Sequence, residues 1–278
     1  MKQINLSMPT DWSQLTRKQI LFVCRLFLAK LDFEEFRLRA FLRLTGVKAL
    51  PKKIIKNRMT YWLFKIGKDK FTLDRQELTW FLKSADFLTH DSRLTANHFP
   101  LFRLPWQCFY GPSAKCYNLT YLEFLHAEKC LYAFQKTDRS NHLNELCAVL
   151  YRPGKKNYHP MRPDHDGDRR EKFNDFIYPK RAWRFKLLKI RKRFAVYLFY
   201  TGCRNVLIES FPNLFNSGSV SSEPVNPVKS LKSIIYDLNQ GDPTKNDRLY
   251  NMQVWEAFEF LDEMIIRTKT KPKKNGKV

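Results

Sequence analysis

Asp164, Asp166 and Asp168 alternate in the stretch PDHDGDRREKF, and Glu171 follows, a set of oxygen ligands of the kind that holds a hard divalent cation. A calcium loop of the EF-hand type beginning at Asp164 needs Gly at its sixth position and Glu at its twelfth. The chain has Arg169 and Asp175 there, so that loop is excluded. The expectation is that these acids are solvated and pair with neighbouring basic side chains, and a metal-dependent nuclease built on them is the third reading in rank. Zinc has no better footing: Cys108 and Cys116 are eight apart, His126 and Cys130 are four apart on a predicted helix, and no Cys-x-x-Cys pair occurs. Cys24, Cys130, Cys147 and Cys203 lie in apolar helical runs, where thiols are inert. Without a Walker loop, a GxGxxG or a GxSxG, no catalytic, cofactor-binding or metal residue is assigned, and a non-enzymatic protein without cofactor is expected.

The stronger chemical pattern is basic. Lys and Arg number 50 against 27 Asp and Glu, a net charge of +23 and a pI near 9.8, a field that attracts polyanions. Its densest part is the segment from Lys180 to Arg193, read as one basic amphipathic helix. On a helical wheel Trp183, Leu187, Ile190 and Phe194 form the apolar stripe and Phe185 lies opposite. Arg181, Arg184, Lys186, Lys189, Arg191, Lys192 and Arg193 are the candidate polyanion contacts, with Phe185 available to stack on a base. The competing reading is a solvated helix whose long side chains cover apolar stems.

A second candidate surface is the loop after the run LNELCAVLYRP. Pro153 cannot continue a helix and disfavours helical geometry at Arg152, so the chain is expected to leave the core there. Residues 153–179 are then a long, charged, proline-bearing excursion, and loops of that length are functional or disordered. Arg152, Tyr158, Arg162, Arg169 and Arg170 are its candidate partner-binding residues.

The elements that must position these groups read as helices. Residues 13–31 repeat apolar positions at helical spacing. The next helix has Asp32 as N-cap, Glu34 and Glu35 in its first turn and Gly46 beyond its last. Asp74 with Glu77 and Thr120 with Glu123 have the spacing of capping boxes. Residues 50–58 read as a basic connector, 59–73 as either helix or hairpin, and the segments ending at Thr137 and Arg152 as a helical hairpin. The division is an N-terminal helical region (1–88), a loop-rich connector (89–117), a central helical region (118–212), a linker (213–230), a C-terminal helical segment (231–267) and a basic tail (268–278). The fold class expected is mainly α: a helical core from both halves, a long charged loop and room for one small β-hairpin.

The six cysteines are too sparse for a secreted disulfide scaffold, and the N-terminus lacks the apolar stretch of a signal peptide, so a reducing, cytoplasmic setting is expected. The longest apolar run, about ten residues from Phe194, falls short of the roughly 20 that span a bilayer, and no membrane partner is expected.

Three patches resemble proteins of phages and prophages: PTDWSQLTRKQILFV, LNELCAVLYRP with its charged loop, and LFYTGCRNVLIESFPNLF. They are similar to helical, chaperone-like assembly proteins encoded among tail genes. The resemblance implies a non-enzymatic assembly or scaffolding protein that binds other proteins, phage structural proteins among them, in the host cytoplasm or the virion. The alternative from the residues themselves is a nucleic-acid-binding protein that uses the 180–193 segment and the C-terminal tail.

Overall fold

The computed structural model describes residues 6–56, 59–90, 92–156, 158–159, 167–215 and 246–270. The chain divides into two compact units, Met1–Leu94 and Thr95–Val278.

The first unit is two helices, a three-stranded sheet and a third helix. Helix α1 (Arg17–Leu28) opens on a capping box between Thr16 and Gln19. Helix α2 (Phe33–Thr45) is capped by Asp32, whose carboxylate accepts from the Glu35 amide at 2.9 Å, and ends at Gly46 with φ +75°, where a side chain would be strained. Strands β1 (Lys48–Lys56), β2 (Met59–Ile66) and β3 (Asp69–Leu73) form an antiparallel meander, and α3 (Arg75–Lys83) follows with the Asp74–Glu77 capping box in place. Phe64 and Leu73 with Val47 form the buried centre of the sheet's inner face, against which Trp62, Ile66 and Phe71 pack. The helices contribute Ile20, Val23, Cys24, Phe36, Ala40 and Phe41 to the core.

The second unit is built on a helical hairpin. Strands β4 (Leu101–Leu104) and β5 (Gln107–Tyr110) precede α4 (Tyr121–Thr137) and α5 (Ser140–Leu150), and β6 (Arg152–Pro153) returns to pair with β5. A short helix α6 (Tyr178–Arg181) runs into a 3₁₀ helix (Ala182–Leu187), and α7 (Ile190–Ser210) crosses the core with Ala195, Val196, Phe199, Tyr200 and Cys203 buried. Tyr200 donates to Glu128 at 2.7 Å and Arg204 Nε lies 2.8 Å from the same carboxylate, so that buried acid is paired. After α8 (Pro212–Phe215), helices α9 (Asn246–Asn251) and α10 (Val254–Thr270) close the unit. Phe258 of α10 meets Tyr121, Phe124, Phe211 and Phe215 edge-on or tilted, centroids 5.2 to 5.9 Å apart.

The mainly α expectation is overturned. The described residues are 58% helix and 16% strand, a mixed α and β arrangement with two three-stranded antiparallel sheets. The segment left between helix and hairpin is β2 and β3, where Trp62, Phe64 and Ile66 alternate inward with Tyr61, Leu63 and Lys65. The basic connector is β1, an edge strand that tolerates Pro51 because its register shifts between Ala49 and Lys53. The loop-rich connector holds β4 and β5, four residues each, too short to impose a visible period. The last predicted helix is two, broken where Gln253 bridges to Thr120 and the Val254 amide donates to the Leu119 carbonyl at 2.7 Å. The linker beyond Phe215 and the tail beyond Thr270 lie outside the described residues.

Candidate nucleic-acid interface

Helices α6 and α7 are not one amphipathic rod. Leu188 and Lys189 are extended, with ψ 138° and 137°, and break the segment. The 3₁₀ helix before the break has three residues per turn, so Ala182, Phe185 and Leu188 share its inner side and all are buried. This inverts the predicted wheel: Phe185 is 0% exposed, whereas Trp183 and Leu187 are 53% and 54% exposed. Phe185 packs edge-on against Phe109 of β5, ring centroids 5.1 Å apart, and thereby docks the 3₁₀ helix on the β4–β5 hairpin.

At the surface the same contact is held by Arg184, whose Nη1 donates to the Gln107 side-chain carbonyl. Trp106 and Trp183 each stand one residue from a partner of that bond. Trp106 occupies the hairpin turn at φ +73° and is 88% exposed. The Arg184 guanidinium lies 5.9 Å from the Trp183 ring centre. Lys186 is exposed on the 3₁₀ helix and Lys189 just beyond its end, whereas Arg103 of β4, opposite Cys108, is exposed on the hairpin face turned away from Phe109 and Gln107. The two elements docked by the buried Phe109–Phe185 pair thus each carry an exposed indole, and the 3₁₀ side adds exposed Lys186 and Lys189.

The remaining predicted polyanion contacts divide. Arg181 is buried, 3.9 Å from Glu171, and Arg193 donates to Asn144, so both serve the fold. Burial pulls both guanidiniums below the usual arginine range. Arg191 and Lys192, in the first turn of α7, are half-buried.

The predicted partner loop closes on itself. Gly154 and Arg170 form a β-bridge, the Lys155 amide donates to the Arg169 carbonyl at 2.9 Å, and the Glu171 amide donates to the Pro153 carbonyl at 2.8 Å. Arg152 and Arg170, offered as surface contacts, are instead 1% exposed. Arg152 Nη1 lies 2.8 Å from Glu123, and Arg170 binds Asp168 at 2.8 to 3.0 Å, the Leu150 carbonyl at 3.0 Å and the Asn118 carbonyl at 2.7 Å. Burial drives Arg152 down to about 10 against the opposing pull of Glu123. Burial also depresses Arg170, but Glu123 and Asp168 more than offset it and its pKa rises. Two cations and two carboxylates thus neutralise one another inside the unit and pin both ends of the loop. Arg169 remains exposed, its guanidinium 4.2 Å from the Tyr110 ring and 5.3 Å from that of half-buried Tyr158. Arg162, Asp164 and Asp166 lie outside the described residues.

Thr120 caps α4 as expected, but Glu123 does not complete the box, because its carboxylate faces the two arginines. A signal for that was legible: Glu123 shares a helical face with Ala127 and Cys130, both buried. Trp106 and Gln107 were missed, although the run LFRLPWQCFY has a Pro-Trp turn between two apolar segments. Among the described residues, no group of three or more His, Cys, Asp and Glu is arranged to hold a metal ion, and no helix is long and apolar enough to cross a membrane. Comparison with protein-family models, with curated proteins and with solved structures gives no match for the chain.

Proposed function

We propose that the protein binds nucleic acid through the surface shared by the β4–β5 turn and the 3₁₀ helix, with unstacked bases resting on Trp106 and Trp183 and the backbone neutralised by Arg184, Lys186 and Lys189. The observation that carries the reading is that the Arg184–Gln107 bond joins two elements that each expose an indole one residue from it, Trp106 and Trp183, with Lys186 and Lys189 exposed close by in the chain. Aromatic faces accept any base, and cations track the backbone, so the arrangement suits single strands with little sequence preference. The net charge of +23 favours the encounter. The test is anisotropy of a labelled oligothymidylate near physiological ionic strength. Trp106→Ala and Trp183→Ala should each weaken binding by about 1–3 kcal/mol, the range for a lost base stack. Both variants binding like the parent would overturn the proposal.

A second reading, the assembly protein suggested by the phage-type resemblance, is favoured by Phe176 and Ile177, which are 77% and 48% exposed ahead of α6. Paired apolar side chains of that kind suit a protein partner better than a phosphate backbone. Under that reading Phe176→Ser abolishes capture of a protein from the source cells and leaves oligonucleotide binding intact; capture that survives the change removes it.

A further inference from the structure

Lys48, Lys65 and Lys70 stand directly opposite one another across β1, β2 and β3. Their side chains share the sheet face away from Phe64, and no described acid forms an ion pair with any of them. Like charges placed directly opposite destabilise a sheet. Lysines on exposed edges do guard against unwanted strand pairing, which accounts for Lys48 on β1 and Lys70 on β3. It does not account for Lys65, which is on the central strand.

The row continues into a groove. A cleft of about 350 Å³ between α1, α2 and the start of β1 is lined by Phe22, Leu42 and Val47 and rimmed by Arg39, Arg43 and Lys48. Arg39 is engaged by Glu35, whereas the Arg43 guanidinium lies 5.7 Å from the Phe22 ring centre with no described acid as partner. Lys48 thus joins the groove, where Arg43 stands, to the cross-strand row of Lys65 and Lys70, and no described acid pairs with any of the four. Adjacent strands are about 4.8 Å apart, so the three lysines alone span roughly 10 Å.

We propose that this set of cations is a second phosphate-binding surface, carried by the first unit, that takes the sugar-phosphate backbone of a nucleic acid. The choice of nucleic acid over another polyanion rests on the function proposed above; the surface itself rests on its own residues. Phosphates supply counter-charges for these cations, and contacts from lysine and arginine to the backbone give position without sequence reading.

The experiment measures the salt dependence of binding of a labelled duplex and a labelled oligothymidylate to the full chain. Arg43→Gln, Lys48→Gln, Lys65→Gln and Lys70→Gln combined should lower the logarithmic salt slope by roughly 3, at about 0.7 to 0.9 per phosphate contact. A control with Lys18, Lys83, Lys129 and Lys136, all exposed, changed to Gln carries the same net charge and should lose less than one contact. Equal loss in the two variants overturns the proposal. Lys65→Gln alone, expected to remove about one contact, replaces the fourfold variant should that one unfold. Loss of slope here with Trp106→Ala and Trp183→Ala unaffected would sink the earlier proposal and keep this one; the reverse pattern would do the opposite. Displacement of the duplex by polyglutamate at equal charge would assign the surface to an acidic protein and overturn the nucleic-acid occupant.

Discussion

Arg152 and Glu123 meet at 2.8 Å with side chains 2% and 1% exposed, which makes the last residue before the charged loop one of the most deeply buried in the second unit. The proline that turns the chain out of α5 therefore does not release it to solvent at once. The arginine before it is first locked to α4, and Asp168 and Arg170 complete the lock from the far end of the loop.

Removing one partner of a buried pair leaves the other charge uncompensated. Glu123→Gln is expected to destabilise the protein by about 3–5 kcal/mol. Glu145→Gln, at a carboxylate that is 39% exposed and whose described ion pair is with His142, should cost at most about 1 kcal/mol. Urea denaturation of the two variants checks this, and similar midpoints would mean that the network is not a lock.

The buried thiols supply the pH dependence. Burial raises Cys130 from an ordinary 9.0 to about 12 and pushes Cys24 and Cys147 higher still. A raised folded-state pKa means that the neutral thiol's contribution to stability is complete below about pH 9 and is lost as pH climbs towards 12. Stability should be flat through neutrality and fall above pH 9, and Cys130→Ala should reduce the slope of that fall. Below pH 9, a thiol reagent should label Cys108, the exposed cysteine, well before the other five. Rapid labelling of all six in the native state would contradict the packing.

Gly154 sits where the loop leaves the β6 strand. A Cβ there would lie 2.8 Å from the Tyr110 ring, which also carries the Arg169 guanidinium on a face. Gly154→Ala should therefore displace Tyr110 at a cost of about 1–3 kcal/mol, read as a fall in thermal midpoint. A midpoint equal to the parent's would show that the ring moves freely.

What could be read from the sequence was local. Asp32, Gly46 and the Asp74–Glu77 box act within four residues of themselves, so their side-chain types suffice to announce helix ends. The sheets were hidden because β4 and β5 are four residues long and β1 contains a proline and a register shift. The cations Arg184, Lys186 and Lys189 of the candidate interface were visible as composition. Its other half was not: Gln107 comes from a hairpin 77 residues earlier, with Trp106 beside it in the turn, and meets Arg184 through tertiary packing alone. The burial of Arg152 and Arg170 was only half hidden: Glu123 reads as a cap residue, yet its place on the face of Ala127 and Cys130 already marks a buried acid that needs cationic partners.

The inverted wheel separates structure from binding most sharply. A continuous α-helix through residues 180–193 would bury Trp183 and present Phe185; the 3₁₀ helix and the break at Leu188 do the reverse. Phe185→Ala removes a fully buried ring from its contact with Phe109 and should cost about 3–5 kcal/mol of stability. Trp183→Ala changes an exposed residue and should stay within about 0.5 kcal/mol of the parent. Oligonucleotide affinity should respond in the opposite order under conditions where both variants are folded: weakened by the loss of Trp183, and little changed by the loss of Phe185 so long as Arg184 still holds Gln107. Denaturation and anisotropy on the same two proteins decide it. Large destabilisation by Trp183→Ala with tolerance at Phe185 would restore the continuous helix and remove the indole surface on which the proposed function depends.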